Sequence, residues 1–223
     1  MIELKNINKI YNQNENDEVT ALQDVNLSIN EGELIILKGS SGSGKSTILS
    51  LIAALNKPTS GEVIVDGKKI SKLADNFASI YRRDNIGFIF QKYNLIADIS
   101  VKENILLPLV PLNPKEQDLQ EKLDIVMDKF KISHKKETLV KNLSGGEQQR
   151  VAIARANVNN PKIIIADEPT ANLDERLSLH FIEILKELKS EGKTIVVATH
   201  DPLFFKLDFA DREIEVSNGT ISQ

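Results

Sequence analysis

Apolar and polar residues alternate over positions 2–10 (Ile2, Leu4, then Ile7, Ile10), which predicts a strand with one buried face. Asn12–Asp17 is a polar turn. Alternation resumes over Val19–Ile29 (Val19, Ala21, then Val25, Leu27, Ile29) and predicts a second strand, closed by Glu31-Gly32. Glu33–Lys38 is a short strand of the buried kind. A Gly/Ser loop follows, then Lys45–Leu55, dense enough in apolar residues for a buried helix that Pro58 and Gly61 stop. Glu62–Val65 reads as a strand ending in the hairpin signal Asp66-Gly67, and Ile86–Phe90 as another strand. From Val101 to Leu143 the pattern is helical, interrupted by Pro108, Pro111 and Pro114, and predicts a smaller helical lobe. Lys162–Ala166 and Thr194–Thr199 are β-branched strands of the kind covered on both faces. Leu177–Leu188 between them has helical spacing, so the unit predicts a right-handed parallel crossover.

Composition narrows the classes. A chain of 223 residues can bury one sizeable α/β core, and 41% hydrophobic with 27% charged residues is ordinary for a globular protein. A net charge of -4 gives no reason to expect nucleic acid as the main partner. With no cysteine, disulfides, thiolate metal sites and cysteine nucleophiles are excluded. Met1–Lys5 carries an acid and no apolar core, unlike a secretory signal. Apolar runs such as Leu34–Leu37 and Ile163–Ala166 are too short to cross a bilayer, so any membrane role needs another chain to do the spanning.

Gly39-Ser40-Ser41-Gly42-Ser43-Gly44-Lys45-Ser46-Thr47 fits the spacing of a phosphate loop, with a strand before it and a helix after. Glycines let backbone N–H groups turn toward phosphate oxygens, and the helix N-terminus adds partial positive charge. Lys45 would neutralise the β- and γ-phosphates, and the Ser46 hydroxyl would ligate Mg²⁺. The bland alternative is a flexible Gly/Ser linker, which the flanking elements disfavour. Ile163–Ala166 runs into two adjacent acids, Asp167 and Glu168, at the end of a parallel strand where open sheets bind ligands. Asp167 would hold Mg²⁺ and Glu168 would accept a proton from the attacking water. Alone this could be a strand followed by an acidic turn. Behind a phosphate loop it gains weight.

Leu143-Ser144-Gly145-Gly146-Glu147-Gln-Gln-Arg150 is a helix start in which Ser144 caps and Glu147 completes the box. Capping explains Ser and Glu but not two consecutive glycines in a first turn. Close approach of an anion to bare backbone explains them. A second phosphate receptor beside one phosphate loop suggests a head-to-tail dimer, each copy closing on the γ-phosphate held by the other.

With these motifs in order, the chain resembles the ABC-type ATPases over essentially its full length. The resemblance implies an α/β phosphate-loop core with a parallel sheet, an N-terminal antiparallel β subdomain and a small α-helical subdomain at about 98–158, in one domain spanning 1–223. It implies that Tyr11 stacks on adenine and that Gln91 touches Mg²⁺ and water as a catalytic residue. It implies that Asn172-Leu173-Asp174 crosses the dimer and that His200 contacts the γ-phosphate. Taken singly, each of these is weak: Tyr11 is more often a strand-end aromatic, Gln91 a solvated polar residue and a lone histidine after a strand a structural one. His134 and His180 lack any motif and read as structural. The segments Glu18–Leu22, Tyr81–Ile96 and Thr199–Pro202 are similar to those of the lipoprotein-releasing and macrolide-efflux branch. That branch implies a homodimer with ATP and Mg²⁺, peripheral on the cytoplasmic face of the membrane, driving a separate integral membrane permease. Lys38, Asn157 and Ala171 depart from its usual residues. A cell-division regulator is the nearest rival. A non-catalytic nucleotide sensor would not need Glu168 and His200.

Overall fold

A computed structural model describes residues 1–112 and 114–222. Strands β1 (Ile2–Tyr11) and β2 (Val19–Ile29) pair antiparallel. Their registers shift near Asn6 and Asp24, both in the left-handed region at φ 49° and 46°. The shift moves the buried set from Ile2 and Leu4 to Ile7, and from Val25, Leu27 and Ile29 to Leu22. Asn6 Nδ2 donates to Asp24 Oδ1 at 3.1 Å across this irregularity. Val19 and Ala21, expected on the buried face, lie outside the core for the same reason.

β3 (Leu34–Lys38) leads through the Gly/Ser loop into helix α1 (Lys45–Ile52). The helix ends at Ile52 rather than Leu55. Ser50 O accepts from both Leu55 N and Asn56 N, and Ala54 turns left-handed at φ 49°. β4 (Ser60–Val65) and β5 (Lys68–Lys69) form the expected hairpin around Asp66-Gly67. Helix α2 (Asp75–Asn85), not predicted, buries only Ala78 among its eleven residues, although Phe77, Ile80 and Tyr81 recur at helical spacing; Phe77 and Ile80 stay exposed. β6 (Ile86–Ile89) follows.

The proline-interrupted lobe begins with α3 (Val101–Leu106), capped by Ser100 and Glu103. A 3₁₀ stretch over Leu107–Leu112 carries Pro108 and Pro111, and α4 is Glu116–Lys129. Then come α5 (Gly145–Asn157), β7 (Ile163–Asp167), α6 (Glu175–Ser190) and β8 (Thr194–Thr199). Two further strands, β9 (Arg212–Ser217) and β10 (Thr220–Ser222), close the chain as an antiparallel pair. Only Ile214 and Val216 of β9 are buried, alternating with Glu213 and Glu215 ahead of the turn at Asn218-Gly219.

A four-stranded antiparallel sheet has the order β2-β1-β4-β5. A six-stranded sheet has the order β10-β9-β3-β8-β7-β6, with every pair parallel except β10–β9. Alternate residues of its central strands enter opposite cores. Leu34, Ile36, Ile164, Ala166, Ile195 and Val197 join α3–α6 on one face. Ile35, Leu37, Ile163, Ile165, Val196 and Ala198 join α1 and the antiparallel sheet on the other. Burial on both faces is why these segments read as continuous apolar runs. Each fully buried Ile or Leu contributes roughly 1.5–3 kcal/mol relative to exposure, which fixes the strand ends where the chemistry sits.

Candidate nucleotide site

A cleft of about 250 Å³ opens where β3 and β7 end. Its walls are Ser41–Thr47, Val19–Ala21, Gln91, Glu168 and His200. Three loop glycines have positive φ: Gly39 at 153°, Gly42 at 78° and Gly44 at 112°. At Gly39 a Cβ would lie 2.2 Å from Val216 O, and at Gly44 it would lie 2.8 Å from Ala21 O. The loop is thus pressed between β9 and β2 and fits only glycine at both points. The unforeseen β9–β10 turn braces it again, as Gly219 N donates to Ser43 O at 2.9 Å. Ser40 lies in the same loop, and its carbonyl accepts from Lys45.

Lys45 is 4% exposed. Its Nζ donates to Gly39 O at 2.7 Å and Ser40 O at 2.9 Å, and lies 3.5 Å from Glu168 Oε1. Ser46 Oγ donates to Asp167 Oδ1 at 2.9 Å. Burial raises the Asp167 carboxyl above its ordinary value and adjacent Glu168 adds to this, while the Ser46 hydroxyl and Lys45 oppose it. Glu168 stands in the left-handed region at φ 44°, pinned by its N–H donating to Ala198 O at 2.8 Å. That turn aims its carboxylate at the cleft. Glu168 Oε2 meets His200 Nδ1 at 2.9 Å and accepts from His200 N at 3.3 Å. Lysine, glutamate and histidine from three different loops therefore form one chain of contacts.

Gln91 is exposed at the cleft, and its carbonyl accepts from Asn172 Nδ2 at 3.2 Å. Tyr11 is not among the lining residues. It pairs across the strands with Val19, which is, and Lys9 Nζ sits 4.7 Å from its ring centroid. Asp174 caps α6, accepting from Leu177 N at 2.9 Å. His180 lies on α6 outside the cleft, and His134 lies in a short turn.

Ser144, Gly145, Gly146 and Glu147 are likewise not among the lining residues. Ser144 N and Oγ donate to Glu147 Oε2 at 2.8 and 2.9 Å, the expected capping box. These two bonds, with Lys135 3.1 Å away, pull the Glu147 carboxyl down to about 2. The two glycines differ. A Cβ on Gly146 would come within 3.1 Å of the Leu177 side chain, so packing against α6 explains this glycine without an anion. A Cβ on Gly145 would meet nothing within 4 Å, and Ser144 and Gly145 are exposed.

Several links carry no sequence signal, because each joins groups apposed only by folding. Gln149, 3% exposed, donates to Pro169 O at 3.1 Å and ties α5 to the turn after Glu168. Thr170 Oγ1 donates to Asp201 Oδ2 at 2.8 Å and ties that turn to the residue after His200. Of the departures, Lys38 pairs with Glu213 at 3.3 Å and Asn157 donates to Ile153 O at 2.8 Å. Ala171 is exposed.

A glycine loop between a parallel strand and a helix, facing a carboxylate pair at the end of a strand one place removed in the same sheet, defines a phosphate-loop nucleoside triphosphatase. Comparison with known proteins narrows this class. The chain belongs to the ABC transporter family, whose model matches residues 22–171. It is an ATP-binding and ATP-hydrolysing cassette of that family.

An uncharacterised ABC transporter ATP-binding protein of Methanocaldococcus jannaschii, MJ0796, is 43% identical over 100% of this chain and 96% of its own length. The macrolide export ATP-binding/permease protein MacB of Campylobacter jejuni is 41% identical over 99% of this chain, which spans 33% of that longer protein. The dimeric structure of MJ0796 in a post-hydrolysis state bound to ADP and Pi matches with a TM-score of 0.91 at 40% identity, over 100% of this chain and 97% of that one.

Proposed function

We propose that two copies of this chain close head to tail around two ATP molecules and so drive a separate membrane subunit. One observation carries the reading. Ser144 and Gly145 offer a capped, glycine-bare helix start to solvent, away from the chain's own cleft. The cleft supplies one electropositive side for a triphosphate, and a second copy supplies the other. The dimeric structure of MJ0796 supports this arrangement.

Within each half-site, Lys45 leaves its own loop carbonyls for the β- and γ-phosphates. Glu168 takes a proton from the attacking water, held in place by His200. Tyr11 stacks on adenine and Asp174 stands in the loop that crosses between the copies. Mg²⁺ fits the donors present, because Ser46 and Asp167 put two hard oxygens side by side and a charge-starved carboxylate gains from a cation. Ser46, Asp167 and Gln91 would hold it. When bound, it neutralises charge on the β- and γ-phosphate oxygens.

The groove beside Gln91, lined by Arg82, Arg83, Phe88, Phe90, Pro108 and Arg155, suits the permease partner. The similarity to MacB favours the lipoprotein-release and macrolide-efflux branch, with the chain peripheral on the cytoplasmic membrane face.

The Glu168→Gln variant tests this. With saturating ATP it should sediment as a dimer and lose about 10²–10⁴ in turnover, the usual worth of a positioned general base. Adding Ser144→Arg should return it to monomer. A variant that stays monomeric with ATP and hydrolyses normally overturns the mechanism.

A further inference from the structure

The backbone between Phe90 and Leu95 takes an unusual course. Tyr93 and Asn94 are consecutive left-handed residues, at φ 59° and 49°. Tyr93 N donates to Phe90 O at 2.9 Å and Asn94 N to Lys92 O at 2.6 Å, so the chain doubles back tightly just after Gln91. A bulky aromatic in that region is strained and stays there only when its surroundings hold it. The Tyr93 hydroxyl is buried with no partner, so it supplies no hydrogen bond to hold the turn.

Arg155, on α5, supplies the anchor. Its Nη1 donates to Asn94 O at 2.6 Å and its Nη2 to Tyr93 O. Burial lowers its pKa, and among the described residues no carboxylate lies within 4 Å of it. A largely buried guanidinium without an acid is being used for its rigid planar fork, which sends a separate nitrogen to each of the two carbonyls. Asn172 grips the same segment at Gln91 O. The glutamine is thus held between the helix that begins at Ser144 and the turn that follows Glu168.

We propose that Arg155 is a positioning residue: by clamping the strained Tyr93–Asn94 turn it sets where Gln91 stands in the cleft. The proposal rests on Gln91 acting in turnover. It makes the orientation of α5, whose first turn meets the neighbour's nucleotide, a determinant of Gln91 geometry within the same chain.

Arg155→Lys should lower kcat about tenfold while the dissociation constant for ATP stays within twofold. Amide exchange should rise at least tenfold over residues 92–96 and stay unchanged in β7. Combined with Gln91→Ala, Arg155→Lys should bring no further loss of kcat, because both act through one group. Adding Asn94→Gly to Arg155→Lys should restore part of kcat, since glycine holds the left-handed turn without a clamp.

An Arg155→Lys variant with normal kcat and unchanged exchange at 92–96 overturns the proposal. So does a loss that multiplies fully with that of Gln91→Ala. If Gln91→Ala itself turns over normally, the role of Gln91 falls instead, and the exchange data still judge the clamp. Should Arg155→Lys fail to fold, Arg155→Gln, which reaches one carbonyl without a buried charge, takes its place with the same readouts.

Discussion

Gly145→Ala should make the protein more stable and less active, and both signs follow from the geometry. Gly145 is the first residue of α5, has no positive φ, and is exposed, and a Cβ there meets nothing within 4 Å. Alanine adopts this backbone without strain and leaves the unfolded chain fewer states. The expected gain is about 0.4–1 kcal/mol. For a domain of this size that raises Tm by about 1–4 °C. The same methyl group stands where the reading above brings a neighbour's phosphate against bare backbone. Weakening one preorganised anion donor costs about 10²–10³ in turnover elsewhere, so ATP hydrolysis should fall at least tenfold.

Thermal melts without nucleotide and steady-state phosphate release, on the same preparation, read both effects. Gly146→Ala is the contrast. Its Cβ presses on Leu177 at 3.1 Å, so it should lower Tm slightly rather than raise it. A Gly145→Ala protein that is stabilised and hydrolyses ATP at the unmodified rate would show that no anion approaches this glycine. One that melts earlier would show that the account of the α5 start is wrong.

Two further expectations concern charge. Lys45→Ala removes the buried ammonium that lies among Gly39 O, Ser40 O and Glu168, and equilibrium titration with a fluorescent ATP analogue should find binding lost; unchanged affinity would reject the phosphate-loop assignment. Glu147 falls from an ordinary 4.5 to about 2 in the folded chain, so its stabilisation is complete above about pH 4.5 and fades as pH drops toward 2. Screening at this part-exposed site reduces the effect to about 1 kcal/mol. Denaturant unfolding of Glu147→Ala should therefore show a deficit at pH 7 that has more than halved by pH 3, and a deficit independent of pH would refute the linkage.

Much of the site was legible along the chain because its groups are neighbours in sequence. Gly39–Thr47, Asp167-Glu168 and Ser144–Glu147 each work through local backbone, so spacing alone exposes them. The strands that carry them are covered on both faces and announce themselves as apolar runs. Helix α2 and strand β9 carried signals that went unread: Phe77, Ile80 and Tyr81 recur at helical spacing, and Ile214 and Val216 alternate with glutamates ahead of the hairpin signal Asn218-Gly219. The sequence also offered one explanation for both glycines at 145 and 146, whereas folding separates them: Leu177, thirty-odd positions on, packs against the second and leaves the first bare.

Local chemistry, then, was written in order along the polypeptide: which loop is rich in glycine ahead of a helix, which strand ends in acids, which serine caps a helix. Such properties depend on residues within a few bonds of one another. Only the tertiary structure decided that Lys45, Glu168 and His200 touch, that Val216 and Gly219 brace the phosphate loop, and that Arg155 reaches over to the carbonyls beside Gln91. Those contacts join segments separated by tens to nearly two hundred residues. They exist because two shared apolar cores bring the strand ends together, and no local pattern encodes which of many polar side chains will meet there.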